Sequence, residues 1–74
     1  MYTIIELQTN NGVTVCNPPQ HQDTKDKAMS VYHGILQYAA ISDVEYHTVI
    51  VVDEHGRYLA RECYEHKNEV IENV

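Results

Sequence analysis

The sequence predicts an α+β domain, a ββαββ chain whose four strands form one antiparallel sheet with a single helix packed on one face. Three observations carry this reading. Residues Tyr2 to Thr9 alternate with a period of two, residues Ala28 to Ala39 carry an apolar stripe at helical spacing, and Tyr46 to Val52 is a β-branched run followed by a turn and a second alternating run.

In the first strand Thr3, Ile5 and Leu7 share one face and Tyr2, Ile4, Glu6 and Gln8 the other. Asn10, Asn11 and Gly12 tolerate positive φ, so the chain turns back into a short second strand at Val13 to Cys16. Asn17, Pro18 and Pro19 end that strand, because proline cannot donate to a ladder and biases the residue before it away from helix. A loop through His21 and Gln22 is expected next. Asp23 or Thr24 can cap the helix, with Asp26 favoured in its first turn by the macrodipole. Ala28, Val31, Tyr32, Ile35, Leu36 and Ala39 mark its buried stripe, and the helix runs to about Ala40. Gly34 interrupts it at a cost of about 1 kcal/mol relative to Ala and projects away from the stripe, either as a tolerated exposed glycine or as a point of close approach.

Tyr46 to Val52 is apolar on both faces at its centre, which implies cover on both faces. One helix covers one of them; the second cover is expected from another subunit or from a ligand. Asp53, Glu54, His55 and Gly56 make the next turn. In the returning strand, Arg57 to about His66, the residues Tyr58, Ala60, Glu62 and Tyr64 alternate with Leu59, Arg61, Cys63 and Glu65. Residues 1–66 thus form one domain, and Lys67 to Val74 reads as a tail, frayed or docked on a partner chain.

A chain of 74 residues buries a small core, and domains of this size often rely on disulfides, metals or partner chains. A homo-oligomer is therefore expected. The longest apolar run, Val49 to Val52, is far short of a membrane span, and no basic-then-apolar signal pattern opens the chain, so a cytoplasmic location is expected. A net charge of −6 and scattered cations (Lys25, Lys27, Arg57, Arg61, Lys67) argue against a nucleic-acid groove. The acids are likewise spread along the chain, without a block suited to nucleic-acid mimicry. Cys16 and Cys63 read as reduced thiols in or near the core.

Metal, nucleophile and phosphate-loop chemistry are weakly signalled. No C-x-x-C, H-x-x-x-H or H-E-x-x-H spacing occurs, and the close pair Cys63 and His66 would point to opposite faces of a strand. The three glycines are isolated. The chain therefore reads as neither an enzyme nor a cofactor or metal carrier. All six aromatics are Tyr, each with an apolar body and a polar tip. Arg57, Arg61, Tyr58, Tyr64 and His66 on the last strand, with Tyr46 and His47 across the hairpin, are the candidate ligand-binding residues, since Arg clamps phosphate and Tyr stacks on a flat ring. An ordinary solvated strand face has the same composition. Tyr32 and His33, at the edge of the helix stripe, are candidates for an interface or cleft.

The run Tyr2 to Asn10, then Tyr32-His33 and Ala39-Ala40, then His47 before an apolar strand, then Glu62-Cys63-Tyr64-Glu65-His66, resembles a group of short proteins encoded in phages and prophages of Firmicutes. The resemblance covers most of the chain from Tyr2 to about His66, and the Cys16 to His21 segment has no place in it. It implies a phage setting and transfers no catalytic residue. In that setting the expected function is anti-defence: capture of a nucleotide-derived immune signal in pockets of a homo-oligomer. The alternatives are an acidic inhibitor of a host defence protein and an accessory of virion or tail assembly.

Overall fold

The hydrophobic patterns above close into a sheet with one helix laid across it. The structure is a computed structural model that describes residues 1–66, so the predicted tail lies outside the described residues. Strands β1 (Tyr2–Asn10), β2 (Val13–Cys16) and β3 (Gln20–Gln22) precede helix α1 (Lys25–Ala39), and β4 (Tyr46–Val52) and β5 (Tyr58–Glu65) follow it. All pairings are antiparallel, in the order β2-β1-β4-β5 with β3 also on β1.

The short strand β3 replaces part of the expected loop. Its residues Gln20, His21 and Gln22 pair with Ile4, Thr3 and Tyr2, while β2 pairs with the other half of β1. Asn17 still donates its N–H to the Glu6 carbonyl at 3.0 Å. Proline favours extended backbone, so Asn17, Pro18 and Pro19 carry the chain past Ile5 and Glu6 as a bulge and return it to the same edge. The Asn11-Gly12 turn has φ of 53° and 79°, the left-handed pair of a two-residue hairpin.

Thr24 caps α1, its Oγ accepting the Lys27 N–H at 3.2 Å, and Asp26 lies in the first turn. The helix buries Ala28, Tyr32 and Ala39, with Met29, Val31, Ile35 and Leu36 packed around the same core. Gly34, by contrast, faces open space. Sheet register decides which face the helix covers. Ile4, Val49 and Val51 are the largest wholly buried side chains, each contributing roughly 1.5–3 kcal/mol of burial. Opposite partners share a face, so the covered face holds Tyr2, Ile4, Glu6 and Gln8 of β1, His47, Val49 and Val51 of β4, and Ala60, Glu62 and Tyr64 of β5. The other face holds Ile5, Leu7, Ile50 and Val52, only partly shielded by their neighbours, and no element among the described residues lies over it.

The β4–β5 turn is held by Asp53. Its Oδ1 accepts the N–H groups of His55 at 2.8 Å and Arg57 at 3.0 Å, and Gly56 adopts a φ of 83°. A register shift beside the turn sets Val52 opposite Tyr58 although Val51 lies opposite Ala60, leaving Leu59 as the extra residue. Tyr58 therefore stands on the uncovered face with Arg61, not with Tyr64 as simple alternation predicts. Of the two thiols, both unbridged, Cys63 is half-buried and Cys16 is exposed. Cys16 belongs to an edge strand in which every residue is exposed, which is why it misses the expected core. Among the described residues, no helix is long and apolar enough to cross a membrane.

Candidate functional site

The sheet splits the predicted ligand-binding residues between its two faces. Tyr46, Tyr58 and Arg61 stand on the uncovered face, beside the apolar strip of Ile5, Leu7, Ile50 and Val52. His47 and Tyr64 stand on the helix-covered face, and His66 follows β5 with its ring reaching the end of the helix. Arg57 projects from the turn, its Nε 3.6 Å from Asp53 Oδ2 with the side chain 76% exposed. Arg61 has no carboxylate within ion-pair distance among the described residues. Of the two candidate cleft residues, Tyr32 is a core residue and His33 is exposed, the two rings meeting edge to face at 5.2 Å.

The uncovered face is poor in charge for so acidic a chain. Register places Thr3, Ile5, Leu7 and Thr9 of β1 there, with Tyr46, Thr48, Ile50 and Val52 of β4 and Arg61, Cys63 and Glu65 of β5. Arg61 and Glu65 are the sole Arg, Lys, Asp or Glu residues among these. The remaining acids of the described residues lie on turns, connectors, the helix and the covered face, so a second acidic molecule meets least repulsion here.

Beneath the C-terminal end of α1 lies a polar network that the sequence pattern did not reveal. His47 is 4% exposed; its Nε2 lies 2.5 Å from Glu6 Oε2 and its Nδ1 3.1 Å from Ser42 Oγ. Ser42 Oγ also reaches the Ala39 carbonyl at 3.3 Å, and His66 Nε2–H donates to that same carbonyl at 2.8 Å. Tyr64 stacks on the His66 ring with the planes 9° apart. Ser42 has one proton to give. When it goes to Ala39, both His47 nitrogens must donate, and His47 is an imidazolium paired with the Glu6 carboxylate. When His47 is neutral, Ser42 turns its proton to Nδ1. Burial raises the Glu6 carboxyl, but hydrogen bonds from His47, Asn17 and Gln8 and the His47 charge outweigh it and hold Glu6 below the usual carboxylate range. Tyr32, beside this network, is shifted upward by burial and then by Glu62 and Tyr64, which keeps its phenol protonated.

Ser42, His47 and Glu6 resemble a hydrolytic triad only in residue type. A nucleophilic serine needs N–H donors aimed at the developing oxyanion, whereas Ser42 follows a helix C-terminus whose carbonyls present partial negative charge. Its own N–H is directed to the Ala39 carbonyl. The arrangement ties the helix end to β1 and β4. The sole sequence hint is Glu6 interrupting the inward set Tyr2, Ile4 and Gln8, with His47 opposite Gln8 once the register is known. Among the described residues, no three His, Cys, Asp or Glu side chains converge to hold a metal ion.

A shallow cavity of about 280 Å³ lies at the other end of the sheet, lined by Met1, Tyr2, Asp53, Glu54 and His55. The N-terminal ammonium and Glu54 Oε1 meet across it at 3.1 Å. Two carboxylates in its lining make it a poor seat for an anion.

These features define an α+β domain with one sheet face covered and one open. No protein-family model, curated protein or solved structure matches the chain.

Proposed function

We propose that this protein is a non-enzymatic binding module that works as a homo-oligomer and holds a flat, anionic, nucleotide-derived ligand between copies, against the uncovered sheet face. The observation that carries this reading is the face itself. It joins an apolar strip, Ile5, Leu7, Ile50 and Val52, to the rings of Tyr46 and Tyr58, and Tyr58 is 69% exposed. Arg57 neighbours Tyr58 in the chain and offers a cation whose present partner, Asp53, is a weak surface contact. A base stacks on tyrosine through its π-face, and a guanidinium receives phosphate oxygens in a fork.

In the phage setting that the sequence resemblance implies, the role we propose is sequestration of a nucleotide-derived immune signal in the host cytoplasm. The test is titration with a panel of cyclic and ADP-ribose-type nucleotides, following tyrosine emission, which no tryptophan obscures in this chain. Saturable quenching that weakens about tenfold in Tyr58→Ala and in Arg57→Ala supports the reading, each loss corresponding to roughly 1.4 kcal/mol. Absence of quenching across the panel refutes it. A second reading, inhibition of a host defence protein, is favoured by the apolar strip itself, since Ile5, Leu7, Ile50 and Val52 lie only partly shielded on two adjacent strands. It is supported if the chain forms a complex of fixed stoichiometry with a purified defence protein and Ile50→Asp abolishes it.

A further inference from the structure

The two edges of the sheet are unlike. On one side β2 and β3 are short and separated by Pro18, Pro19 and a bulge, devices that block pairing with another chain. On the other side β5 runs for eight residues without proline or glycine. His66 donates its N–H inward to the Glu45 carbonyl at 2.7 Å. Backbone groups alternate in direction along a strand, so those of Glu65, Cys63 and Arg61 point outward. No described strand pairs with them.

We propose that β5 pairs antiparallel with β5 of a second copy about a two-fold axis through Cys63, joining two sheets into one continuous sheet. The choice of partner and register follows from charge. A two-fold axis perpendicular to the sheet keeps like faces together and sets residues of the same face opposite one another. Centring the axis on Arg61, Glu62 or Glu65 would place identical charges face to face, which destabilises a cross-strand pair, and centring it on Tyr64 would set Glu65 opposite a cysteine and leave both Arg61 and Glu65 without an opposite charge. Centring it on Cys63 sets Arg61 opposite Glu65 of the second copy, and Glu65 opposite the second copy's Arg61. It also sets Glu62 opposite the second copy's Tyr64, an acceptor opposite a donor. Arg61 and Glu65 stand four residues apart on one strand, too far to pair within a chain, and neither has an ion-pair partner among the described residues.

The outward backbone groups of Arg61, Cys63 and Glu65 would then meet in three narrow pairs, each exchanging two hydrogen bonds. The helix leaves room for this approach because it packs chiefly over β1, β4 and β3. The joined sheet presents a single uncovered face with Tyr46 and Cys63 near the seam. The proposal rests on the homo-oligomer part of the functional reading above and is independent of the ligand.

The test is sedimentation velocity across a concentration series, with circular dichroism as the control for folding. The wild type is expected to dimerise. Arg61→Glu and Glu65→Arg each turn two attractive pairs into two repulsive ones and should weaken dimerisation roughly tenfold to thirtyfold. The double variant R61E/E65R restores the opposite-charge pairs and should recover the wild-type constant within about threefold. A monomeric wild type overturns both the proposal and the homo-oligomer reading. A wild-type dimer that is insensitive to the single reversals, or that the double variant fails to restore, overturns β5 pairing alone. Should a reversal perturb folding, a short thiol cross-linker on Cys16→Ser decides instead: linkage through Cys63 into a dimer is expected, and exclusively monomeric product overturns the proposal.

Discussion

Replacing Glu6 by Ala should cost about 2 kcal/mol of stability, because it strips the buried His47 ring of its carboxylate. The magnitude follows from the burial of the two partners. Removing one member of a wholly buried ion pair costs roughly 3–5 kcal/mol, whereas an exposed pair contributes roughly 0–1 kcal/mol. The side chains here are 5% and 18% exposed, so His47 is out of water and Glu6 is within its reach. Water entering the space left by Glu6 offsets part of the loss. At about 4–8 °C per kcal/mol for a domain of this size, the melting temperature should fall by about 8–16 °C. Glu6→Gln retains an acceptor for Nε2–H and should lose about half as much.

The assay is urea unfolding followed by circular dichroism, with unchanged slope confirming that the difference lies in stability. Acid adds a second signature. The folded Glu6 carboxyl ionises below its ordinary value, so its contribution is complete above that ordinary value and disappears as pH falls through the folded one. The wild-type advantage over Glu6→Ala should therefore shrink in acid. A loss below about 0.5 kcal/mol at neutral pH, or an advantage that grows in acid, would refute the assignment of the network as a fastening for the helix end.

Other positions give independent checks. Thr24→Ala removes the cap that accepts the Lys27 N–H and should cost about 1 kcal/mol, read from the same urea midpoints. Gly56→Ala forces a side chain onto a φ of 83° and should cost about 1–2 kcal/mol, although open space surrounds the position. Asp53→Asn should lower the melting temperature by weakening the turn. Burial raises the Asp53 carboxyl, but the backbone N–H groups of Arg57 and His55 and their charges outweigh it and hold the group low. Its contribution is present above the ordinary carboxylate value and lost as pH falls through the folded one, so the wild-type advantage over Asp53→Asn should disappear in acid melts.

Local pattern made most elements legible. The alternation of β1, the Asn-Gly turn, the helix stripe and the β-branched β4 each declare themselves within a few residues, because side-chain period and turn chemistry are local properties. β3 is not legible, since Gln20, His21 and Gln22 carry no apolar signal and pair only because half of the β1 edge is free. The shift at Val51 and Val52 is hidden for a similar reason. Turn geometry sets it, and it carries Tyr58 to the opposite face from the one that alternation assigns. The His47 network joins residues 41 apart in sequence and becomes visible only with the register. The second apolar face of β4, legible in the sequence, is a face that no described element covers, and register places Tyr46, Tyr58 and Arg61 on it.

A binding module of this kind stands or falls on whether its copies hold a small ligand between them. Native mass spectrometry of protein purified from bacterial cells, before and after mixing with cyclic and ADP-ribose-type nucleotides, reads assembly and ligand together. The expected result is a closed assembly that gains the mass of one nucleotide per site. A monomer, or an assembly that takes up no member of the panel, would contradict it.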